Sequence, residues 1–313
     1  MNGKPRILVT GAAGLVGQNL VLMLRQRGYE DIVAVDKHAG NLQVLRRLVP
    51  EARIRVADLA EPGEWEALFD PQTVVVMLHA QITGKYPGEF VRNNVEATRR
   101  VLEAIARRGA AFVVHVSSSV VNSAANDDYT NTKKTQETLV RESAVPHCVL
   151  RPTLMFGWFD PKHLGWLSRF MEKTPVFPIP GHGRYMRQPL YIRDFCRALV
   201  WAIENRPAGK AYDVVGAERI DYIEVIRAIK RVKRLKTLIV HVPVRLFRLM
   251  LKSYALVSRK PPFTADQLDA LCAGDDFKGV DTEQVFGFRQ TPFDEALRES
   301  YCDPRYSHVL VSR

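Results

Sequence analysis

Apolar and polar positions alternate along the first half of the chain in a way that predicts strands and helices in turn. Short apolar runs rich in β-branched residues predict strands at 6–10, 32–36, 53–57, 73–79, 111–117 and 148–152. Apolar residues at helical spacing predict helices at 15–27, 41–49, 61–69, 86–108 and 129–143. Apolar strands that alternate with helices are typical of a parallel sheet covered on both faces. Right-handed crossovers then predict a doubly wound α/β sheet.

The regular alternation ends after Arg151. The stretch TPVFPIPGHG (174–183) is rich in Pro and Gly and predicts a loop. Helices are predicted at 192–205 and near 222–234, with a short strand at AYDVV between them. We therefore predict a dinucleotide-binding domain over 1–152 and a smaller mixed α/β lobe over 153–313, interleaved with the first.

Composition narrows the class of protein. The chain has 313 residues, of which 46% are hydrophobic and 25% charged, as in ordinary soluble domains. The first residues run directly into a strand, and no apolar run reaches roughly 18 residues, so neither a signal peptide nor a spanning helix is expected. Four scattered cysteines without a CxxC argue against disulfides and against a metal site. A cytoplasmic protein is expected.

The turn after the first strand carries glycines that suit a dinucleotide. Gly11 allows the tight turn, Gly14 lets the backbone approach a pyrophosphate, and Gly17 permits close packing of helix on strand. The helix that starts here presents the N–H groups of its first residues, Leu15 and Val16, together with a partial positive charge. A nucleotide cofactor is the expected ligand.

The second strand ends at Asp36, where a carboxylate can accept hydrogen bonds from both ribose hydroxyls of NAD. It would repel the 2′-phosphate of NADP. Lys37 and His38 follow at once, however, and could tolerate that phosphate. NAD is therefore the predicted cofactor, and NADP is the alternative.

The next two strands end in further candidate ligands. Asp58 and Leu59 follow the third strand, where a carboxylate can meet the adenine amino group; the alternative for Asp58 is the N-cap of a helix beginning near Glu61. His79 follows the fourth strand at the carboxyl edge, where ligands bind in such sheets. It could equally be a histidine whose hydrogen bonds are satisfied within the protein.

Three serines, Ser117 to Ser119, follow the fifth strand and are therefore expected at the same carboxyl edge of the sheet. Tyr129 and Lys133 lie at the start of the next helix. A tyrosine is a poor base at neutral pH, but a nearby ammonium would lower its pKa by favouring the phenolate. Lys133 lies four residues on, on the same helical face, and can also hold the nicotinamide ribose. A serine hydroxyl can anchor the substrate oxygen while the proton moves.

These motifs resemble the extended short-chain dehydrogenase/reductases, specifically the nucleotide-sugar epimerase/dehydratase branch. The resemblance covers nearly the whole chain and rests on five stretches: TGAAGLVG, NNVEATRRVLEAI (93–105), SSS with YTNTK, RPTLMFG (151–157) and RQPLYIRDFCRALVWAI (187–203). It implies a Rossmann-type fold, a nucleotide-sugar substrate and a homodimer formed through the helices at 86–108 and 129–143.

The resemblance also implies roles for individual residues. Ser119, Tyr129 and Lys133 would be catalytic, and Lys133 would also contact the cofactor. Three further residues would lie on the substrate side: Asn94, which would support the active site, Thr153, and Arg187, which would bind the diphosphate through its guanidinium. A solvated surface arginine is the alternative for Arg187.

Three features depart from the family pattern. Only nine residues separate Ser119 from Tyr129, although nine extended residues can still span roughly 30 Å. Thr153 stands where many 4-epimerases have asparagine. The segments 261–277 and 286–301 also resemble accessory respiratory-complex subunits that bind a nucleotide without turnover. The intact Ser, Tyr and Lys argue for an enzyme, because binding alone does not require that set.

The net charge of +11 comes from one segment. Residues 225–265 contain eleven Lys or Arg and no acid, so the remaining 34 of 45 basic residues balance the 34 acids. Four basic residues share one helical side within 243–260: Arg245, Arg248, Lys252 and Arg259. This segment could be a solvated face over a packed helix, a contact with an anionic membrane, or a positive funnel for a nucleotide sugar. Nucleic acid is not expected, because no binding motif accompanies the charge.

We therefore expect an NAD(P)-dependent oxidoreductase or epimerase acting on a nucleotide-linked sugar through a 4-keto intermediate. Tyr129 would remove a hydroxyl proton while hydride passes to the nicotinamide. The alternative is a non-catalytic nucleotide-binding subunit of a membrane-associated complex, docked through 243–260 at the inner face of the membrane.

Overall fold

A seven-stranded parallel sheet forms the centre of the protein. The computed structural model describes residues 3–257, 265–274 and 276–312. The strands are β1 (Ile7–Thr10), β2 (Ile32–Asp36), β3 (Arg53–Val56), β4 (Val74–Met77), β5 (Phe112–Val116), β6 (His147–Pro152), β7 (Met155–Phe156), β8 (Val176–Pro180), β9 (Met186–Arg187), β10 (Leu190–Tyr191), β11 (Ala211–Val214), β12 (Ile220–Asp221) and β13 (Leu238–Val242). The central sheet has the order β11-β6-β5-β4-β1-β2-β3, and the six predicted strands are all present in it.

Helices connect the strands. They are α1 (Leu15–Gln26), α2 (Ala39–Leu48), α3 (Pro87–Phe90), α4 (Ala97–Arg108), α5 (Asp128–Glu142), α6 (His163–Lys173), α7 (Ile192–Asn205), α8 (Tyr222–Val232), α9 (Val244–Val257), α10 (Ala265–Ala273), α11 (Thr282–Phe286) and α12 (Phe293–Cys302). Short 3₁₀ turns cover Glu64–Leu68 and Ser119–Asn122. The segment 61–69, predicted as a helix, therefore contains one 3₁₀ turn. In the described part of the chain, no helix is long and apolar enough to cross a bilayer.

The central strands are buried on both faces, as the predicted doubly wound sheet requires. Along β1, Ile7 and Val9 belong to one hydrophobic cluster and Leu8 to the other. This two-residue period places α1 and α7 against the first face, and α4 and α5 against the second. Strand β1 pairs in parallel with both β2 and β4, so the order in which strands are added to the sheet reverses between β1 and β4, where α/β sheets bind ligands.

The second lobe is interleaved with the sheet, because β11 returns as its seventh strand beside β6. The predicted loop at 174–183 is wrong for its central part, where β8 pairs in parallel with β13. Proline is tolerated here because Pro178 and Pro180 lie two residues apart, so their missing N–H groups fall on the side of β8 away from β13. The N–H of Gly181 continues the ladder to the carbonyl of Val242 at 2.7 Å.

The long helix predicted at 86–108 is helical but not uniform. A π-helical segment, Val91–Glu96, lies between α3 and α4. Such widened turns occur frequently at functional sites. This one places Asn94 against α5, the helix that opens with Tyr129.

Candidate active site

The glycine turn leaves the start of α1 open. Gly11 has φ +68°, and a Cβ there would lie 2.6 Å from the amide nitrogen of His79. A Cβ on Gly17 would lie 2.5 Å from the Cα of Ala12, so only glycine lets helix and turn approach this closely. Gly14 is the N-cap and provides no side-chain cap. The first N–H groups of α1 are therefore presented to an anion.

Asp36 is fastened to this turn. Its Oδ2 accepts a hydrogen bond from the N–H of Ala13 at 3.0 Å, and its Oδ1 accepts one from the N–H of His38 at 2.9 Å. The ammonium of Lys37 donates instead to Oδ1 of Asn93 at 2.6 Å. The carboxylate of Asp36 therefore lies beside the glycine turn. The ammonium of Lys37 is bound instead to the π-helical segment Val91–Glu96.

Asp58 forms a turn at the end of β3 rather than the N-cap of an α-helix. It accepts from the N–H of Ala60 at 3.0 Å and from the guanidinium of Arg92 at 2.8 Å. Burial alone would raise the pKa of Asp58, but the hydrogen bonds from Arg92 and Ala60 outweigh it and lower the pKa. The side chain of Leu59 is buried in the core, so only its backbone could meet a cofactor.

His79 has both ring nitrogens engaged. Nδ1 lies 2.8 Å from the hydroxyl of Thr10, and Nε2 lies 3.0 Å from that of Thr98. Burial, aided by the charge of Lys133, lowers the pKa of His79 to about 3. Of the two interpretations, the structure favours the histidine that is satisfied within the protein, with its backbone packed against Gly11.

Ser118 lies close enough to Tyr129 to influence its pKa. Burial raises the pKa of Tyr129, and the hydroxyl of Ser118 opposes this in part. Ser119, the serine predicted to be catalytic, begins the 3₁₀ turn and is buried. Its catalytic role stays a prediction, because three consecutive serines follow β5 and both Ser118 and Ser119 lie near the start of this turn.

The short connection between the serines and Tyr129 is held at several points. The hydroxyl of Ser123 donates to the carbonyl of Val120 at 2.7 Å, and Lys134 donates to the carbonyl of Ser123 at 3.2 Å. Asp127 caps α5 by accepting from the N–H of Thr130 at 3.0 Å. The nine residues therefore suffice to bring Tyr129 back to the serine run, as the extended length of the segment predicted.

Lys133 is 1% exposed, and its ammonium donates to the carbonyl of Val116 at 2.9 Å and to Oε1 of Gln136. Burial lowers the pKa of Lys133 to about 7, and the charge of Glu137 opposes this only in part. The net pKa of Tyr129 is raised, opposite to the direction expected from the sequence. The reason is that burial of the phenol outweighs the stabilisation of its phenolate.

Two groups near Lys133 were not predicted. Gln136 donates to the carbonyl of His79 at 3.1 Å and to the hydroxyl of Thr98 at 2.8 Å, and so ties Lys133 to the end of β4. Glu137 forms a two-pronged ion pair with Arg151, with Nε at 3.0 Å from Oε2. In the sequence, these two groups are indicated by polar residues on the side of α5 that is buried.

Asn94 is fully buried and bonds only to protein groups. Its amide N–H groups donate to the carbonyl of Gln81 at 3.1 Å and to the hydroxyl of Thr132 at 3.0 Å, while Oδ1 accepts from the N–H of Gln81 at 2.6 Å. Asn94 joins the π-helical segment, the loop after β4 and α5, and so positions the helix of Tyr129.

Thr153 and Arg187 make contacts within the second lobe. The hydroxyl of Thr153 donates to the carbonyl of Gln188 at 3.0 Å and accepts from the N–H of Gly216 at 3.4 Å. It therefore fastens the segment after β9 to the end of β6. The guanidinium of Arg187 donates to the carbonyl of Leu271 near the end of α10. The structure thus brings Tyr129, Lys133 and a serine together, whereas these two residues hold segments of the second lobe.

A family model described as the NAD dependent epimerase/dehydratase family matches residues 7–215. That range contains the glycine turn, Asp36, the serine run and α5. It therefore includes every group around Tyr129 described above.

Individual proteins give the same indication. The chain is 26% identical over 263 residues to the dTDP-glucose 4,6-dehydratase of Neisseria gonorrhoeae, covering 71% of this chain and 76% of that protein. The UDP-glucose 4-epimerase of Thermotoga maritima, solved with UDP-glucose, aligns with a TM-score of 0.75 at 18% identity, over 94% of this chain and 97% of that one. The UDP-glucuronic acid 4-epimerase of Bacillus cereus, solved with NAD, aligns with a TM-score of 0.70 at 21% identity, over 95% and 97%. At these identities the structural likeness shows a shared fold.

Proposed function

We propose that this chain, which belongs to the NAD-dependent epimerase/dehydratase family, is an NAD-dependent enzyme that oxidises a hydroxyl of a nucleotide-linked sugar. The observation that carries the proposal is the buried Lys133 one helical turn from Tyr129, on a helix that packs against the serine run at the same edge of the sheet as the glycine turn. Nucleotide binding alone does not need a buried lysine and a tyrosine beside a run of serines.

The residues at the glycine turn and at the end of β2 suit NAD. The uncapped start of α1 suits a pyrophosphate, and Asp36 lies where a carboxylate can accept from ribose hydroxyls. Lys37 is held by Asn93, which favours NAD over NADP, because a 2′-phosphate would meet the carboxylate first. When bound, NAD supplies the hydride acceptor.

Side chains of the protein remove the proton of the reacting hydroxyl. In the proposed reaction, Ser118 hydrogen-bonds the reacting hydroxyl and the phenolate of Tyr129 takes its proton, and a keto sugar would remain once the carbon had given its hydride to NAD. The raised pKa of Tyr129 keeps its phenol protonated in the absence of substrate, so Tyr129 must first lose that proton to act as a base. A protonated Lys133 would favour the resulting phenolate, so proton removal depends on both groups.

The reaction is proposed to proceed through a 4-keto sugar to an epimer or a ketoreductase product. The names of the relatives, a 4,6-dehydratase and two 4-epimerases, support carbon 4 as the position oxidised.

The resemblance stated above also supports a homodimer through α4 and α5. Both helices have exposed faces, and this assembly remains a prediction. Sedimentation of the purified protein would measure its mass directly.

The first test is to denature freshly purified protein and identify the released nucleotide by mass spectrometry. Retained NAD is expected, since an epimerase recycles its hydride. The protein is then incubated with UDP- and dTDP-hexoses, and the products are identified by nuclear magnetic resonance. The variant Tyr129→Phe should retain the cofactor and lose most turnover. A protein that binds no nicotinamide nucleotide, or a Tyr129→Phe variant with unchanged turnover, would overturn the proposal.

A further inference from the structure

Helix α9 exposes apolar side chains to solvent. Leu246, Leu249 and Met250 are 50%, 60% and 49% exposed. Residues three and four apart share one face of a helix, so these three form a single outward stripe. Phe247 and Leu251 lie on the opposite side and are partly buried. A helix that is merely solvated over a core would carry polar residues on this outer face.

The strand that leads into α9 continues the pattern. In β13, Leu238 and Val240 are exposed, and their spacing of two places them on the same face of the strand. Leu238 pairs with Val176 of β8, which is also exposed. Exposed apolar side chains therefore occur on three elements of the second lobe. We call these residues of β8, β13 and α9 the outer apolar surface.

Basic residues accompany this surface. Arg245 and Lys252 are exposed on α9, beside Leu249 on the helical wheel. They belong to the segment 225–265, which has eleven basic residues and no acidic one. Arg248 differs, because it forms an ion pair with Asp269 of α10. Arg259, predicted on the same side, lies outside the described residues.

We propose that the outer apolar surface docks on an anionic lipid bilayer. Exposed leucines beside lysine and arginine are the combination that partitions into the interface of such a membrane. A second copy of this chain is disfavoured, because two surfaces from the same basic segment would repel each other. A funnel for nucleotide sugars would use the charges but gives no reason to expose Leu246 and Leu249. The membrane accounts for both features.

The proposal is independent of the reaction catalysed and is tested without a substrate. Full-length protein is floated through a density gradient with vesicles of phosphatidylcholine alone, or of equal parts phosphatidylcholine and phosphatidylglycerol. Binding to the anionic vesicles is expected, and it should weaken as salt is raised, because salt screens the attraction. Equal recovery with both vesicle types, or none with either at low salt, would overturn the proposal.

Two variants separate the apolar and basic contributions. In Leu246→Gln/Leu249→Gln the apolar anchor is removed, and binding to anionic vesicles should fall at least tenfold. In Arg245→Gln/Lys252→Gln each lost charge should weaken binding about fivefold at low salt, as expected for roughly 1 kcal/mol per residue near the lipid. All four side chains are exposed, so the thermal unfolding of these variants should match that of the wild type.

Matched controls come from exposed residues elsewhere. Leu310 is as exposed as Leu249, and Arg47 is exposed on α2, so Leu310→Gln and Arg47→Gln change the same chemistry outside the surface. Both controls should bind like the wild type. If they lose as much binding as the α9 variants, or if the α9 variants bind normally, the assignment of the surface is wrong. Oligomers that Leu246→Gln/Leu249→Gln dissociates would show self-association instead, and would likewise refute membrane docking.

Discussion

Because Lys133 is buried, the stability of the cofactor-free protein should depend on pH. The substitution Lys133→Met should remove this dependence. The pKa of Lys133 is lowered from 10.5 to about 7 by burial. Between those values the unfolded chain binds a proton that the folded protein has released. Stability therefore rises with pH across this window, and below about pH 7 the contribution is constant because both states carry the proton.

The magnitude follows from the size of the shift. One pKa unit corresponds to about 1.4 kcal/mol, so stability should rise by about that amount per pH unit above pH 7. Over the whole window the contribution is roughly 5 kcal/mol, comparable to the total stability of a small domain. The Lys133→Met variant lacks the titrating group. Its stability should therefore lack this slope, whatever its absolute value.

The assay is urea unfolding of wild type and Lys133→Met at several values between about pH 7 and pH 9. The buried histidines contribute little here, since burial lowers the pKa of His79 and of His115 in the folded protein, and their imidazoles in the unfolded chain lose the remaining protons as the pH rises above 7. The raised thiol pKa of Cys148 affects both proteins equally and cancels in the difference. Lys134→Met is the matched control, because it retains Lys133. Parallel pH profiles for wild type and Lys133→Met would refute the reasoning.

The remaining predictions concern the serine and the ion pair. Ser118→Ala should lower kcat/KM about a hundredfold, because the hydroxyl proposed to bind the reacting oxygen is lost, whereas Ser119→Ala should change kcat/KM little. Steady-state kinetics on both variants decides, and the reverse ranking would identify Ser119 as the catalytic serine. Glu137→Gln should reduce the free energy of unfolding by about 3 kcal/mol, since it leaves the guanidinium of Arg151 partly buried without its main partner. Glu142→Gln, on the exposed side of the same helix, is the control for urea unfolding, and equal losses would contradict a role for the pair.

The central sheet could be predicted because its strands are apolar along their whole length and lie between helical segments. β8 could not, since Pro178 and Pro180 argue against a strand unless their orientation toward β13 is known. A sequence pattern does not contain that orientation. The same limit applies to the second lobe, where short strands pair with partners far along the chain.

The candidate site was predicted in outline and refined in detail. Tyr129 and Lys133 follow from their spacing on one helix, which fixes their common face. Which of Ser118 and Ser119 meets the substrate depends on how the chain turns after β5, and a run of identical residues gives no signal for that. Gln136 acts through a contact with the end of β4 that only the assembled fold creates. Whether the pKa of Tyr129 is raised or lowered from its ordinary value depends on the burial of the phenol, which the motif does not reveal.

The alternating prolines of β8 have a consequence for solubility. In the described part of the chain this sheet has two strands, so β8 presents an outer edge. An exposed edge next to apolar side chains invites another chain to add a strand, which is a common start of aggregation. Here Pro178 and Pro180 lack the N–H donors that such an added strand would need. The protein can therefore carry an apolar, basic outer surface while its neighbouring edge resists growth into a larger sheet.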